Sequence, residues 1–238
     1  MTFDSGVDIA LYHLETVDST NAYAKANIAR LPDGTLVTAG CQTAGRGRMG
    51  RCWISPAGRN FYGSLVMKRL ERPLAGTMVI SLGALLTLRK LAPSLPVWLK
   101  WPNDLYVGEA KLAGVLSETV AMAGGRRAVI AGIGVNLNLT AAELSAINRP
   151  ATSVLVAAGT EINPDFFASM LAESVKSYYI MGIYSEAELF SEWRAANRLV
   201  GLEIELEVGG SVIRGVAAGI ADDGALLIRD ASGKEKPY

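Results

Sequence analysis

The hydrophobic and polar positions of the chain alternate in some stretches and follow helical spacing in others. Alternating or continuously apolar runs predict strands, at residues 10–14, 35–41, 61–67, 97–99, 105–107, 112–120 and 128–139. Helical spacing predicts helices, one from a cap at Ser19 or Thr20 to Ala29, and others at residues 73–91, 164–181 and 185–197. The pattern therefore predicts helices and strands interleaved over most of the chain.

The pattern changes after residue 197. Three short strands are predicted there, at residues 202–208, 212–219 and 225–228, separated by the turn sequences Gly209-Gly210 and Asp223-Gly224. Short strands joined by tight turns are typical of a small β-barrel. We therefore predict two domains, residues 1–196 and residues 197–238.

Composition and charge narrow the function classes. The chain has 238 residues, with 23 Lys and Arg against 23 Asp and Glu, and half of its residues are hydrophobic. A chain this apolar can bury a large core, and zero net charge argues against a general nucleic-acid coat or a membrane-surface protein. Two cysteines and one histidine exclude a disulfide framework and a Cys/His zinc site. With no basic leader and no apolar run of about 20 residues, the expected compartment is the cytoplasm.

A loop rich in glycine and arginine, residues 45–51, satisfies the pattern G-x-G-x-x-G. A dinucleotide fingerprint also requires a helix directly after the glycines, and Trp53-Ile54-Ser55-Pro56 does not predict one. Guanidiniums bind carboxylates and phosphates through paired hydrogen bonds, and glycines let the backbone approach an anion. The loop therefore indicates an anion-binding site, with a solvated basic loop or an RNA-binding patch as alternatives.

Residues 100–114 predict a hairpin that turns at Gly108-Glu109. A two-residue turn places Tyr106 opposite Lys111 and Asp104 opposite Ala113, so that these four side chains share one face of the sheet. A carboxylate and an ammonium on one face suit a metal-bound nucleotide and an acidic substrate. An ordinary cross-strand ion pair is the alternative.

A third segment, residues 132–138, reads Gly-Ile-Gly-Val-Asn-Leu-Asn. Glycines inside an apolar strand often mark the close approach of a ligand or of another backbone. Asn136 and Asn138 share a face of the predicted strand. Close packing without a ligand explains this segment equally well.

Together these segments resemble the biotin protein ligases, the biotin–[acetyl-CoA-carboxylase] ligases. The matching segments are Asp18-Ser19-Thr20-Asn21, Gln42, residues 45–51 with Trp53, Lys100-Trp101-Pro102-Asn103-Asp104, Lys111-Leu112-Ala113-Gly114 and residues 132–136. The arginine loop and the Lys-Trp-Pro-Asn-Asp block are specific to that family.

The resemblance implies an α+β fold, with a mixed β-sheet flanked by helices as in class II aminoacyl-tRNA synthetases, followed by a small SH3-like β-barrel. It also implies ATP and biotin as substrates and Mg²⁺ as a cofactor. The biotin carboxylate would attack the α-phosphate of ATP to give biotinyl-5′-AMP and pyrophosphate. A lysine of a biotin carboxyl-carrier domain would then attack the anhydride, and AMP would leave.

The resemblance implies a role for each matching residue. The catalytic residues would be Lys111, which bridges the biotin carboxylate and the α-phosphate, and Arg48, which closes over the adenylate. Biotin would be held by Ser19, Thr20, Asn21, Gln42, Arg46, Gly47, Arg48, Lys111 and Gly114. The nucleotide would be held by Arg51, Trp53, Asn103, Asp104 and Asn136, with Asp104 also a ligand of Mg²⁺.

Two departures from the family pattern matter. Only about ten residues precede the first predicted strand, so we expect a ligase without the N-terminal DNA-binding domain of many members. The chain stops at Lys236-Pro237-Tyr238, so we expect a barrel that is open or lacks its last strand. We expect a monomer or homodimer that binds neither DNA nor membranes.

Two other functions compete with this one. A lipoate or octanoate ligase or transferase would share the fold, but those enzymes lack the arginine-rich loop. A non-enzymatic biotin or RNA binding module would not need Lys111 beside Asp104, because a sensor has no phosphate to bridge.

Overall fold

The computed structural model describes residues 6–238. Its larger part is built from seven strands and six α-helices. In chain order these are β1 (Ala10–Val17), α1 (Thr20–Ala26), β2 (Thr35–Gln42), β3 (Phe61–Met67), α2 (Pro73–Leu91), β4 (Val97–Lys100), β5 (Asp104–Val107), β6 (Ala110–Ala121), β7 (Arg127–Val135), α3 (Ala141–Ser145), α4 (Val154–Ala158), α5 (Pro164–Tyr184) and α6 (Glu186–Ala196).

The seven strands form one sheet in the order β1-β2-β3-β7-β6-β5-β4. β1 and β2 are parallel, whereas every other neighbouring pair is antiparallel, so the sheet is mixed. The central strand β7 lies between β3 and β6 and pairs with both. The mixed sheet flanked by helices therefore agrees with the expectation from the sequence.

The two faces of the sheet are covered by different helices. α2 and α5 cover one face, where Leu65 belongs to the main core. α1 covers the other face, where Ala24 packs in a smaller cluster that includes Ile130. Because side chains alternate along a strand, Gly132 and Gly134 lie on the same face of β7 as Ile130. Gly132 lies beneath Asn21 at the start of α1, and Gly134 lies beneath Trp53, so this face of β7 carries no side chains beside the start of α1.

α2 is long and apolar enough to cross a membrane by length and composition, but 72% of its most apolar stretch is buried. It packs against β6, β7, α5 and α6. A helix that is apolar around its whole circumference needs partners on all sides. α2 has the burial of a core helix.

The C-terminal part is a four-stranded antiparallel sheet of β8 (Glu203–Val208), β9 (Ser211–Ile220), β10 (Leu226–Arg229) and β11 (Glu235–Pro237). Its strand order is β11-β10-β9-β8, and within residues 6–238 the two outer strands do not pair, so the sheet is open rather than a closed barrel. The Trp101 indole donates a hydrogen bond of 2.8 Å to the Gly224 carbonyl, and Ile220 and Ile228 join the main core. The boundary at residues 196 and 197 stays a prediction.

The hairpin of β5 and β6 differs from the predicted register. Tyr106 lies opposite Lys111, as the two-residue turn requires. A β-bulge then shifts the register by one residue, so Asp104 lies opposite Gly114 and not opposite Ala113. Ala113 is fully buried in the main core instead.

Other differences concern the ends of elements and short elements. The strand predicted at residues 128–139 ends at Val135, so Asn136 and Asn138 lie in the irregular segment that follows. The structure also contains α3, α4 and β11, which have three to five residues each. Elements this short carry too few residues to establish a hydrophobic period.

Candidate active site

A cleft of about 360 Å³ opens on the α1 face of the large sheet. All but one of the predicted site residues line it, namely Ser19, Thr20, Asn21, Gln42, Arg46, Gly47, Arg48, Arg51, Trp53, Asn103, Asp104, Lys111 and Gly114. The remaining one, Asn136, lines an adjoining cavity of about 270 Å³ that shares Trp53 and Lys111 with the cleft. The structure therefore brings together segments that are separated by more than a hundred residues along the chain.

The inner wall of the cleft is a network of buried hydroxyl and amide groups at the start of α1. Ser19 caps this helix, and the backbone N–H and the hydroxyl of Thr20 both donate to Gln42 Oε1, at 2.9 and 3.2 Å. Gln42 Nε2 in turn donates to Ser55 Oγ at 3.0 Å. Each group is fixed by its neighbours, so the wall is rigid in the absence of a ligand.

Asn21 is saturated with protein partners on its donor side. Its amide nitrogen donates to the Leu116 carbonyl at 3.0 Å and to Glu118 Oε2 at 2.9 Å. Its amide oxygen accepts a hydrogen bond of 2.6 Å from Ser64 Oγ. Gly132 lies beneath this amide, and a Cβ atom there would come within 2.2 Å of Asn21 Oδ1. Asn21 can therefore offer a ligand only its remaining oxygen lone pair.

The floor of the cleft is formed by Gly114 of β6 and Gly134 of β7, which lie directly opposite each other. The indole of Trp53 packs on both, and a Cβ atom at Gly134 would lie 2.3 Å from its Nε1. The ammonium of Lys111 lies 5.5 Å from the centroid of the Trp53 ring. These glycines are required for close approach, as glycines inside a strand often are. The Trp53 Nε1 atom is buried and has no hydrogen-bond partner among residues 6–238.

Lys111 and Asp104 form an ion pair of 2.6 Å in the cleft, with side chains only 12% and 20% exposed. Burial is the main cause that lowers the pKa of Lys111, because it disfavours the charged form. Asp104 opposes this effect, whereas the cations Arg149 and Arg51 add to it. Lys111 is therefore a cation held close to other cations, which favours an anion beside it.

The arginine loop folds back on itself at the rim of the cleft. The Gly47 N–H donates to the Arg51 carbonyl at 2.7 Å, and a short 3₁₀ turn spans Arg48–Gly50. Arg48 Nη1 donates to Asn103 Oδ1 at 3.1 Å. The side chains of Arg46 and Arg51 make no hydrogen bond or ion pair with any residue from 6 to 238. The loop thus presents unpaired guanidiniums to the cleft, and no helix follows it as a dinucleotide fingerprint requires.

Asn136 and Asn138 are both buried, and their side chains form hydrogen bonds with different segments of the chain. Asn136 Nδ2 donates to the Thr152 carbonyl at 3.0 Å, and Asn138 bonds both the N–H and the carbonyl of Ile162. Only Asn136 lines the adjoining cavity. Asn138 is thus a structural residue, and the two asparagines do not act as a pair.

Several residues around the site were not identified from the sequence. Ser64 and Glu118 hold Asn21, and Arg149 lines both cavities. The C-terminal sheet also contributes, since Leu206, Glu207, Val208 and Tyr238 line the cleft. A serine in the continuously apolar strand β3 was a signal for Ser64. Nothing in the local pattern marks Arg149.

Comparison with known proteins shows where this arrangement belongs. Residues 13–138 match the model of the biotin/lipoate A/B protein ligase family, and residues 200–238 match the biotin protein ligase C terminal domain. The chain is 33% identical over 231 residues to the bifunctional ligase/repressor BirA of Escherichia coli (strain K12). The match covers 94% of this chain and 70% of that relative. The chain belongs to the biotin protein ligase family.

Other relatives agree with this placement. The biotin–[acetyl-CoA-carboxylase] ligase of Paracoccus denitrificans is 34% identical over 230 residues, covering 93% of this chain and 95% of that protein. The structure of the biotin protein ligase from Aquifex aeolicus in complex with biotin and ATP superposes with a TM-score of 0.79. The two are 28% identical, and the match covers 96% of this chain and 94% of that one.

The comparison confirms the predicted fold class of this biotin protein ligase. The mixed sheet with its helices and the small C-terminal antiparallel sheet both correspond to the family, although the C-terminal sheet is not closed into a barrel. The match covers 95% of the Paracoccus denitrificans ligase and 70% of the bifunctional ligase/repressor of Escherichia coli.

Proposed function

We propose that the chain ligates biotin to a protein lysine in two ATP-dependent steps. The biotin carboxylate oxygen attacks the α-phosphorus of ATP, the bond from that phosphorus to the bridging oxygen breaks, and pyrophosphate leaves with the electron pair. The amine of an acceptor lysine then attacks the biotinyl carbonyl of biotinyl-5′-AMP, and AMP leaves. The observation that carries this proposal is the buried Lys111, which lies where the two cavities meet.

Lys111 suits the first step because two anions must be brought together. A carboxylate and a phosphate repel each other, and a buried cation between them offsets this repulsion more strongly than it would in water. Holding both reactants in contact supplies the proximity contribution to the rate. The ion pair with Asp104 orients the ammonium before substrates arrive. Lys111 is therefore the proposed catalytic residue, together with Arg48.

Biotin is assigned to the inner wall of the cleft. Its ureido ring is an uncharged hydrogen-bonding group, which matches the hydroxyl and amide groups there, and its aliphatic chain matches Leu116. The proposed biotin-binding residues are Ser19, Thr20, Asn21, Gln42, Arg46, Gly47, Arg48, Lys111 and Gly114. Asn21 contributes mainly by fixing the wall, since its donors are occupied.

The nucleotide is assigned to the adjoining cavity and to the place where this cavity meets the cleft. Trp53 and Asn136 line that cavity and offer an aromatic surface and an amide to a base. Arg51, Asn103 and Asp104 line the neighbouring part of the cleft, where the phosphates would lie. A ligand that extends through both cavities has the shape of biotinyl-5′-AMP.

The donor set fits Mg²⁺ held mainly by the substrate. Within residues 6–238 no three His, Cys, Asp or Glu side chains come together, so a metal site made by the protein alone is not found there. Mg²⁺ at phosphates usually takes only one or two carboxylates and keeps several waters. Asp104 supplies one such carboxylate, with Oδ1 on Lys111 and Oδ2 without a protein partner among the described residues. When bound, the ion would screen the triphosphate and assist the departure of pyrophosphate.

We further propose that the acceptor is the biotin carboxyl-carrier domain of acetyl-CoA carboxylase or a related carboxylase. The name of the Paracoccus denitrificans relative, biotin–[acetyl-CoA-carboxylase] ligase, supports this choice. The same proposal places the enzyme in the cytoplasm as a monomer or homodimer. Zero net charge supports the absence of DNA binding.

Pyrophosphate release tests the proposal. The purified chain is incubated with ATP and Mg²⁺ plus biotin, lipoate or octanoate, and a carboxyl-carrier domain is then added, with its acceptor lysine replaced by arginine in the control. We expect pyrophosphate with biotin and labelling of the intact carrier only. Release of pyrophosphate with lipoate or octanoate but not with biotin would show that the enzyme acts on those acids instead. Release with none of the three acids would show that the chain is a binding module and not a ligase.

A further inference from the structure

The cleft and the adjoining cavity meet at a junction lined by residues that belong to both. These residues are Cys52, Trp53, Lys111 and Arg149. Beyond the junction, the cleft extends to Thr20 and the inner wall, and the adjoining cavity extends to Asn136. A ligand that occupies both cavities must pass through the junction. Of the four junction residues, only Lys111 and Arg149 carry a positive charge.

The backbone next to Arg149 is fixed against the strand that carries Lys111. The Lys111 N–H donates to the Pro150 carbonyl at 3.1 Å, and the Thr152 N–H donates to the Lys111 carbonyl at 2.9 Å. A parallel β-bridge joins Lys111 to Ala151. The segment is therefore an extension of the sheet, and the position of Arg149 at the junction does not depend on a free loop.

The guanidinium of Arg149 is available to a ligand. The side chain is exposed, and it makes no hydrogen bond or ion pair with any residue from 6 to 238. Arg149 and Lys111 both line both cavities, so their positive charges meet at the junction. Lys111 is paired with Asp104, whereas no carboxylate among residues 6–238 pairs with Arg149. A phosphate at the junction would balance the charge of Arg149 and accept hydrogen bonds from both side chains.

We propose that Arg149 is a further catalytic residue, whose guanidinium binds the α-phosphate of ATP and of biotinyl-5′-AMP at the junction together with Lys111. This inference rests on the proposed function. During the first step the α-phosphate gains a bond to the biotin carboxylate and loses its bond to pyrophosphate, and its charge is spread over its oxygens. Arg149 stabilises that charge through hydrogen bonds and exchanges no proton. The guanidinium suits this task because it can donate two parallel hydrogen bonds to one phosphate.

The test compares Arg149→Gln with the unchanged chain and with Arg127→Gln. Arg127 is exposed at the far end of β7, so its replacement removes the same charge away from the site. We expect Arg149→Gln to lower kcat/KM for ATP about 10- to 100-fold, as the loss of one charge-assisted hydrogen bond typically does. The affinity for biotin without ATP should change less than about threefold, because Arg149 lies away from the inner wall. Arg149→Lys should restore part of the loss.

Different outcomes would overturn this inference and the proposed function on which it rests. An unchanged chain that makes no biotinyl-5′-AMP overturns the proposed function, and the inference falls with it. An active chain whose Arg149→Gln variant keeps kcat/KM for ATP within twofold overturns the inference alone. Equal losses of biotin and ATP binding in both Arg149→Gln and Arg149→Lys would also overturn it.

Discussion

The inner wall of the cleft and the arginine loop at its rim hold their polar groups in opposite states. Thr20, Asn21 and Ser64 are at most 5% exposed, and each is hydrogen-bonded to other protein groups. Arg46 and Arg51 on the loop are exposed and make no side-chain hydrogen bond or ion pair with the residues that the structure describes. The polar groups of the inner wall therefore have hydrogen-bond partners without a ligand, whereas the guanidiniums of Arg46 and Arg51 have none among the described residues.

The backbone of the inner wall is also held more firmly than the backbone of the arginine loop. The inner wall is built on the capped start of α1 and on strands in the middle of the sheet. The loop places Met49 in the left-handed region, at φ 56°, where the residue is 87% exposed. That conformation is uncommon and strained for a residue other than glycine. The loop is therefore held weakly, whereas the inner wall is held by many partners.

The difference corresponds to the two kinds of group in the proposed ligand. An uncharged ring is bound best by donors and acceptors that are already in place, because little order has to be gained on binding. A phosphate is bound best by cations that are unpaired until it arrives, because their repulsion is relieved only in the complex. The inner wall should therefore govern affinity for biotin, and the loop and junction should govern the adenylate.

The largest effect is expected at the junction, where the two regions meet. Lys111→Ala should lower the rate of adenylation about 10²- to 10³-fold, the usual loss for one preorganised electrostatic contact. Lys176→Ala is the matched control, because that lysine also pairs with an aspartate, Asp8, but lies on the surface. Pyrophosphate release measures the rate, and circular dichroism confirms the fold. Near-normal adenylation by a folded Lys111→Ala protein would remove Lys111 from its assigned role.

The next effect tests the loop alone. Arg48→Gly removes the contact with Asn103 and a guanidinium donor that lines the cleft. Loss of a charge-assisted contact of roughly 1.5–3 kcal/mol should speed the release of biotinyl-5′-AMP about 10- to 100-fold. Synthesis of the adenylate should suffer less, because Lys111 remains. Released adenylate would label lysines of a bystander such as albumin. An unlabelled bystander, with the intermediate retained as in the unchanged chain, would show that Arg48 does not retain it.

A smaller effect tests whether the inner wall is rigid. A Cβ atom at Gly132 would lie 2.2 Å from Asn21 Oδ1, and three partners prevent that amide from moving away. Gly132→Ala should therefore lower the free energy of unfolding by about 2 kcal/mol through overpacking, and it should weaken biotin binding measured by calorimetry because the Asn21 amide is displaced. Gly219→Ala is the control, because its new methyl group meets only an ordinary contact at 3.8 Å. Unchanged affinity in Gly132→Ala would mean that the wall adapts.

The residues that sequence reasoning located share one property. Thr20, Lys111 and Gly134 belong to short motifs whose chemistry is visible in one segment, and the strand and helix periods place those segments on one sheet. β3 and α2 have the predicted bounds, since both are continuously apolar and closed by polar residues or proline. Long apolar elements and motif residues could therefore be predicted from the sequence.

The residues that sequence reasoning missed depend on contacts between distant segments. Arg149 reaches the junction because Pro150 and Thr152 bond the backbone of Lys111, which no local period reveals. Glu118 alternates along β6 as any exposed strand residue does, and only the fold places it beside Asn21. The bulge that moves Asp104 opposite Gly114 is likewise a property of the paired strands. Such pairings need the three-dimensional structure.

The smallest effect concerns the outer support of the inner wall. Glu118 accepts a hydrogen bond from Asn21 and forms an ion pair with Lys25, but it does not line the cleft. Glu118→Ala removes one of three partners of the Asn21 amide, so the amide should be less well fixed while Leu116 and Ser64 still hold it. Losing one such hydrogen bond, worth about 0.5–1.5 kcal/mol, should raise KM for biotin roughly two- to tenfold. The kcat of adenylation should stay unchanged, because Glu118 is remote from Lys111.

The control is Glu118→Gln, which keeps an acceptor for Asn21 and should have a KM for biotin close to that of the unchanged chain. Equal effects of both variants on KM would instead assign the support to the ion pair with Lys25. An unchanged KM in Glu118→Ala would show that the wall needs no support from β6 at this position.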